Sequence, residues 1–197
     1  MFKRLYCLIF SVLIAVPVFA SENTGSIIGE VKVFRARRSA DVVVYLTDVP
    51  GTFKPAQNHP TIDQKDLIFM PHVLPIVVGT TVDFANNDNV KHNIYSSSKA
   101  KKFNLGTYGG DVLKQETFDT EGEVALACNV HAEMSSYIVV LSNPYFAKTG
   151  NDGKFTIGNV PPGQYTLKTW HERKRTYEQK ITVEAGKTTE IKIELKR

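Results

Sequence analysis

Apolar residues alternate with polar ones along most of this chain, at the two-residue period of a half-buried strand. The last segment shows it most plainly: Ile191, Ile193 and Leu195 interleave with Lys192, Glu194 and Lys196, which gives one buried and one wet face. The same pattern predicts strands over 27–33 and 41–47, then at Leu67-Ile68-Phe69, over 73–78 and 81–84, and at His92-Asn93-Ile94-Tyr95. Further strands are expected at Thr117-Phe118 and over 124–127, 137–141, 154–157, 165–170, 177–183 and 188–195. Turn-forming residues separate them. Arg35 to Ser39 reads as a basic turn, Gly51 to Pro60 as a loop and Asn86-Asn87-Asp88-Asn89 as a polar turn, while Asn151-Asp152-Gly153 and Pro161-Pro162-Gly163 are tight turns. No segment sustains a helical apolar stripe, so the expected fold class is all-β.

The first twenty residues follow a different rule. Met1-Phe2-Lys3-Arg4 precedes an apolar run from Leu5 to Val18, and Val18-Phe19-Ala20 leads into a polar stretch from Ser21. A basic start, a short apolar middle and a small residue at the junction make up an export signal, with cleavage expected after Ala20. No later stretch approaches the roughly 20 apolar residues of a membrane-spanning helix, so no stable membrane insertion is expected once the signal is gone. The expected location is the periplasm. Lys3 and Arg4 leave with the signal, which takes Lys plus Arg from 24 to 22 against 20 acids. Nothing in that balance points to a nucleic-acid partner.

Export also removes Cys7 and leaves Cys128 as a single thiol. Exported proteins use cysteines in pairs, so a lone one is either a small buried hydrophobe or a group with another occupation, such as a metal. The residues after it favour the metal. Cys128-Asn129-Val130-His131-Ala132-Glu133-Met134 spaces a thiolate, an imidazole and a thioether as Cys-x2-His-x2-Met. Alternation places Val124, Leu126 and Cys128 on the inward face of a strand, and His131 and Met134 on the loop before the next strand returns. His92, beyond the polar turn that follows Val82 and Phe84, is the expected fourth ligand. Two imidazoles, a thiolate and a weak thioether form the electron-transfer set for one copper ion. Zinc is the competing occupant, but thioether is a poor structural zinc ligand.

Asn86-Asn87-Asp88 leading to His92-Asn93, followed by Cys128-x2-His131-x2-Met134, resembles the cupredoxin signature with the short ligand loop of amicyanin-like proteins. Phe69-Met70-Pro71, Gly79-Thr80 and Val82-Asp83-Phe84 are similar to the opening hairpin of those domains. The chain beyond the signal resembles periplasmic proteins grouped as "methylamine utilization protein"-like, which join a cupredoxin to a carboxypeptidase-regulatory-like (transthyretin-like) sandwich. The resemblance implies type 1 copper at His92, Cys128, His131 and Met134. It implies that Asn93 ties the two ligand loops together and that the exposed edge of His131 is the electron port. It also implies a cupredoxin Greek-key sandwich over 62–142, with 21–61 and 143–197 forming a discontinuous, smaller second sandwich. Two consecutive domains divided near Asn143-Pro144 are the alternative. In one respect the chain departs from the family: Val130, Ala132 and Glu133 flank His131 where amicyanin-type loops carry prolines.

The function this implies is transfer of single electrons through the copper site, cycling Cu(I)/Cu(II), with a redox protein as partner. The alternative is copper storage or delivery through the same ligands, with a copper donor or acceptor as partner. A Cys128/His131 nucleophile–base pair lacks an orienting acid or oxyanion donors, so the chain is not expected to be an enzyme. His72 is expected beside the site rather than in it, and His59 in a loop. His171 and Trp170 are expected in the second sandwich. The basic runs Arg173-Lys174-Arg175 and Lys99-Ala100-Lys101-Lys102 read as solvated turns, the second of them nearer the metal end.

Overall fold

The computed structural model describes residues 23–196; the expected export signal lies outside them. Sixteen strands and no helix are found among the described residues. The first are β1 (Gly25–Val33), β2 (Val43–Thr47), β3 (Thr61–Lys65), β4 (Ile68–Met70), β5 (Val73–Val77) and β6 (Thr80–Asn86). They are followed by β7 (His92–Ser97), β8 (Lys102–Tyr108), β9 (Lys114–Phe118), β10 (Gly122–Ala127) and β11 (Ser135–Leu141). The chain ends with β12 (Phe146–Lys148), β13 (Lys154–Val160), β14 (Gly163–Trp170), β15 (Glu178–Val183) and β16 (Thr188–Leu195).

These strands form four sheets, ordered β5-β11-β10-β7-β8, β4-β3-β6-β9, β13-β1-β16 and β12-β2-β14-β15. The first two enclose one core, which includes Ile62, Phe84, Ile94, Phe118, Leu126 and Ile138. The last two enclose another, built on Ile27, Val44, Leu46, Leu167, Ile193 and Leu195. The protein is thus an all-β pair of sandwiches. The first and last strands of the described residues lie side by side in parallel, Ile27 opposite Thr189 and Val33 opposite Leu195, so both ends of the described segment help to build one sandwich.

Two apolar runs that break the alternation explain how the sandwiches join. In Val42-Val43-Val44, Val42 and Val44 enter one core while Val43 points the other way. In Ile138-Val139-Val140-Leu141, Ile138 and Val140 enter the opposite core, and Val139 and Leu141 point back toward Val43. A strand buried on both faces reads as a continuous hydrophobic run. Tyr137, Phe146 and Trp170 complete this seam. Asn143 Nδ2 donates to the Leu46 carbonyl (2.8 Å) and Lys148 Nζ to the Val73 carbonyl (2.9 Å) across it.

Three strands escaped the alternation reading: β3, β8 and β12. In β3 the inward positions are Ile62 and Gln64, and Gln64 is fully buried, so a polar residue occupies a core position. Its Nε2 donates to the Ala85 carbonyl and to Tyr108 Oη, which offsets part of the desolvation, while its Oε1 is buried without a partner. The Lys99–Lys102 turn also differs from expectation. It follows β7 at the end remote from His92, since Lys102 pairs with Ser97, and so lies away from the expected ligands.

Candidate metal centre

Strands β10 and β11 pair antiparallel, with Ala127 opposite Ser135, so Cys128 to Met134 is the loop that joins them. The loop is closed on itself: the Cys128 amide donates to the Met134 carbonyl (3.3 Å) and the Met134 amide to the His131 carbonyl (3.1 Å). Strand β7 lies on the other side of β10, with Tyr95 opposite Ala127, and this pairing brings His92 beside the loop. Every element needed to gather the groups is therefore supplied by three neighbouring strands of one sheet.

His92, Cys128 and His131 converge, their ligating atoms all within 4.8 Å of one another. His92 and Cys128 are buried and His131 is half-exposed. The Nδ1 atoms of the two histidines face each other at 3.0 Å. Met134 is buried, closes the loop, and belongs to the same core cluster as Cys128.

The opposite nitrogen of His92 shows how the ring is set. Nε2 donates to Asp88 Oδ2 at 2.9 Å. A carboxylate accepts only, so the proton sits on Nε2 and the Nδ1 lone pair is aimed at Cys128 and His131. Asp88 is itself fixed, taking the Leu67 amide on Oδ2 (3.0 Å) and the Asn89 amide on Oδ1 (2.8 Å). The Leu67 amide and then the His92 ring hold its carboxyl below the usual carboxylate range. Asn86 braces the turn from inside, donating to the carbonyls of Val90 and Tyr108. A buried lone pair, a thiol and a second imidazole pointed at one another form a donor set that a soft-to-intermediate cation satisfies, and that set fits copper.

The remaining candidates lie elsewhere. Asn93 Nδ2 donates to Asn104 Oδ1 in β8 (2.8 Å), and Asn93 Oδ1 is buried with no hydrogen-bond partner. His72 stands outside the cluster, 3.5 Å from a Glu172 carboxylate oxygen and edge-on to Tyr137. His59 pairs with Asp83. Sequence reasoning did not single out Asp88 as a partner of His92, although a carboxylate four residues ahead of a ligand histidine in a polar turn is a usable signal. Its link to Leu67 is a long-range contact with no such signal.

Exposed apolar side chains cluster on the segments near the half-exposed His131, beside the exposed Asn129 and Glu133 of its own loop. Of the eight large apolar side chains exposed among the described residues, seven come from β4 and the turn before it (Leu67, Ile68, Met70), the turn before β7 (Val90), the segment after β8 (Val112, Leu113) and the ligand loop (Val130). Phe34 is the exception.

The family model described as "Carboxypeptidase regulatory-like domain" matches residues 119–196. That is less than half of the chain, and it takes in β10 and β11 as well as β12 to β16. No curated protein gave a sequence match. Among solved structures, the chain is similar to a purple cupredoxin from Nitrosopumilus maritimus, at 26% identity and a TM-score of 0.38, covering 42% of this chain and 99% of that one. It is also similar to a copper-containing nitrite reductase from Thermus scotoductus SA-01, at 25% identity and a TM-score of 0.42, covering 49% of this chain and 25% of that one. A mutant amicyanin gives 20% identity and a TM-score of 0.41, covering 44% of this chain and 85% of that one.

Proposed function

We propose that the protein is an exported, periplasmic electron carrier holding one copper ion on His92, Cys128 and His131, with Met134 as a weak fourth ligand. The observation that carries this reading is the convergence of two imidazole nitrogens and a thiol in a buried cluster, one imidazole being held in a single tautomer by Asp88. Copper bound there supplies a Cu(I)/Cu(II) couple, which accepts or releases one electron. The chain's own groups do the rest. Cys128 offers the soft donor, and burial keeps water from it. Asp88 orients His92. His131 presents its ring at the surface, where nearby exposed apolar side chains such as Val90 and Val130 let a redox protein approach closely and exclude water. The proline-free flanks of His131 are Val130, Ala132 and the exposed Glu133, which makes this port less apolar.

On this reading residues 62–142 form the copper domain, and 21–61 with 143–197 form the domain that supports it. Voltammetry on the copper-loaded protein tests the carrier function. A reversible one-electron wave supports it; bound copper with no reversible wave would indicate storage or delivery through the same ligands.

A further inference from the structure

Two arginine-rich turns of the second sandwich meet at one place. Phe34-Arg35-Ala36-Arg37-Arg38 follows β1, and His171-Glu172-Arg173-Lys174-Arg175 follows β14. Lys174 Nζ donates to the Phe34 carbonyl (3.0 Å), and the Arg35 guanidinium lies 5.2 Å over the Phe34 ring. Between the turns is an open cleft of about 530 Å³, lined by Phe34, Arg35, His171, Glu172, Arg173 and Lys174. The two turns hold six cations and one acid, against 22 cations and 20 acids in the chain beyond the expected signal, so the excess positive charge is gathered here. The acid is engaged: Glu172 lies 3.5 Å from His72 Nε2 and 3.3 Å from Arg173 Nε. Four of the cations, Arg35, Arg37, Arg38 and Arg175, are exposed, and Arg173 is 79% exposed along its side chain.

A chain of contacts runs from the cleft toward the strands that carry the ligand loop. Glu172 reaches His72, whose carbonyl accepts the Tyr137 amide (2.9 Å) and whose ring meets Tyr137 edge-on. Tyr137 lies opposite Ala125; Tyr137 is three residues from Met134 and Ala125 three from Cys128, about 10 Å along each strand. Contacts therefore tie the Glu172 side of the cleft to the two strands whose ends carry the ligand loop.

We propose that this cleft is the second half of the docking surface, and that it receives an acidic segment of the partner protein. The inference rests on the copper reading for its purpose, but not for the binding itself. A concave site with guanidinium forks matches protruding carboxylates, which arginine takes in pairs, whereas a membrane presents a flat surface. Charge of this kind speeds and orients encounter more than it adds affinity, and salt weakens it.

The test uses the copper-loaded full protein and poly-L-glutamate as the probe. Expected is binding at low salt that weakens at least tenfold in Arg35→Glu/Arg173→Glu/Lys174→Glu and by less than about twofold in the charge-matched Lys99→Glu/Lys101→Glu/Lys102→Glu. Amide-shift mapping on the unmutated protein keeps the test decisive if the first variant fails to fold; shifts must centre on residues 34–38 and 171–175. Equal loss in both variants, shifts spread over the surface, or binding to phosphatidylglycerol vesicles without binding to poly-L-glutamate would overturn the proposal. The visible absorption of the same samples reports copper independently, so its absence would remove the copper reading and leave the cleft's binding measurable.

Discussion

Asp88 holds His92 by a 2.9 Å hydrogen bond on the nitrogen that faces away from Cys128 and His131. This one contact decides which nitrogen of a fully buried ring carries its lone pair into the cluster. Replacing Asp88 by alanine leaves His92 in place but frees its tautomer and orientation. A loss of about 10- to 100-fold in copper affinity is expected with the fold retained, as for other groups that orient a metal ligand. Competition titration against a chelator of known affinity, with circular dichroism as the folding control, measures it.

The seam between the sandwiches depends on Trp170. Its ring packs 5.3 Å from that of Tyr137, and its Nε1 donates to Glu123 at 2.9 Å. Trp170→Ala should cost about 2 kcal/mol, from lost burial, an aromatic pair and one charge-assisted hydrogen bond. Calorimetry should show a lower midpoint and a broader or divided transition as the two cores uncouple.

Gly153 is required by its turn. Its φ is 76°, and a Cβ there would lie 2.2 Å from the Val31 carbonyl oxygen, which is backbone and cannot move aside. Gly153→Ala should cost about 2 kcal/mol or more. Gly106 has a similar φ of 70° with nothing within 4 Å of the added carbon, so Gly106→Ala should cost only about 1 kcal/mol. Denaturant midpoints of the two variants separate steric overlap from backbone strain.

His171 predicts a pH dependence. Burial holds its pKa below the ordinary 6.5, so the unfolded chain binds a proton at a pH where the folded one does not. Its contribution is fully present above 6.5 and is lost as pH falls through that value toward the lowered folded one. Unfolding midpoints should fall over this range, and less steeply in His171→Asn.

Much of this was legible in the alternation of residues, and the exceptions have physical causes. The convergence of Cys128 and His131 was readable because one loop carries both, and that of His92 because a strand and a polar turn place it. Asp88 was not read as its partner, since a carboxylate in a polar turn resembles any other turn residue until the ring beside it is seen. Strand β3 was hidden by Gln64, a core position filled by a hydrogen-bonded amide. Val42–Val44 and Ile138–Leu141 were readable as strands, but their second apolar face acquired a meaning only when each met the other sandwich. The basic turns at Arg35 and Arg173 look like ordinary solvated turns, because 138 residues of sequence separate two segments that share one cleft.

The central claim is that Cys128, with His92 and His131, binds copper through sulfur. Cu(II) added to the purified protein should produce intense visible thiolate-to-copper absorption, and Cys128→Ser should abolish it while the protein stays folded. No such band in the unmutated protein, or a band that survives in Cys128→Ser, would contradict the account.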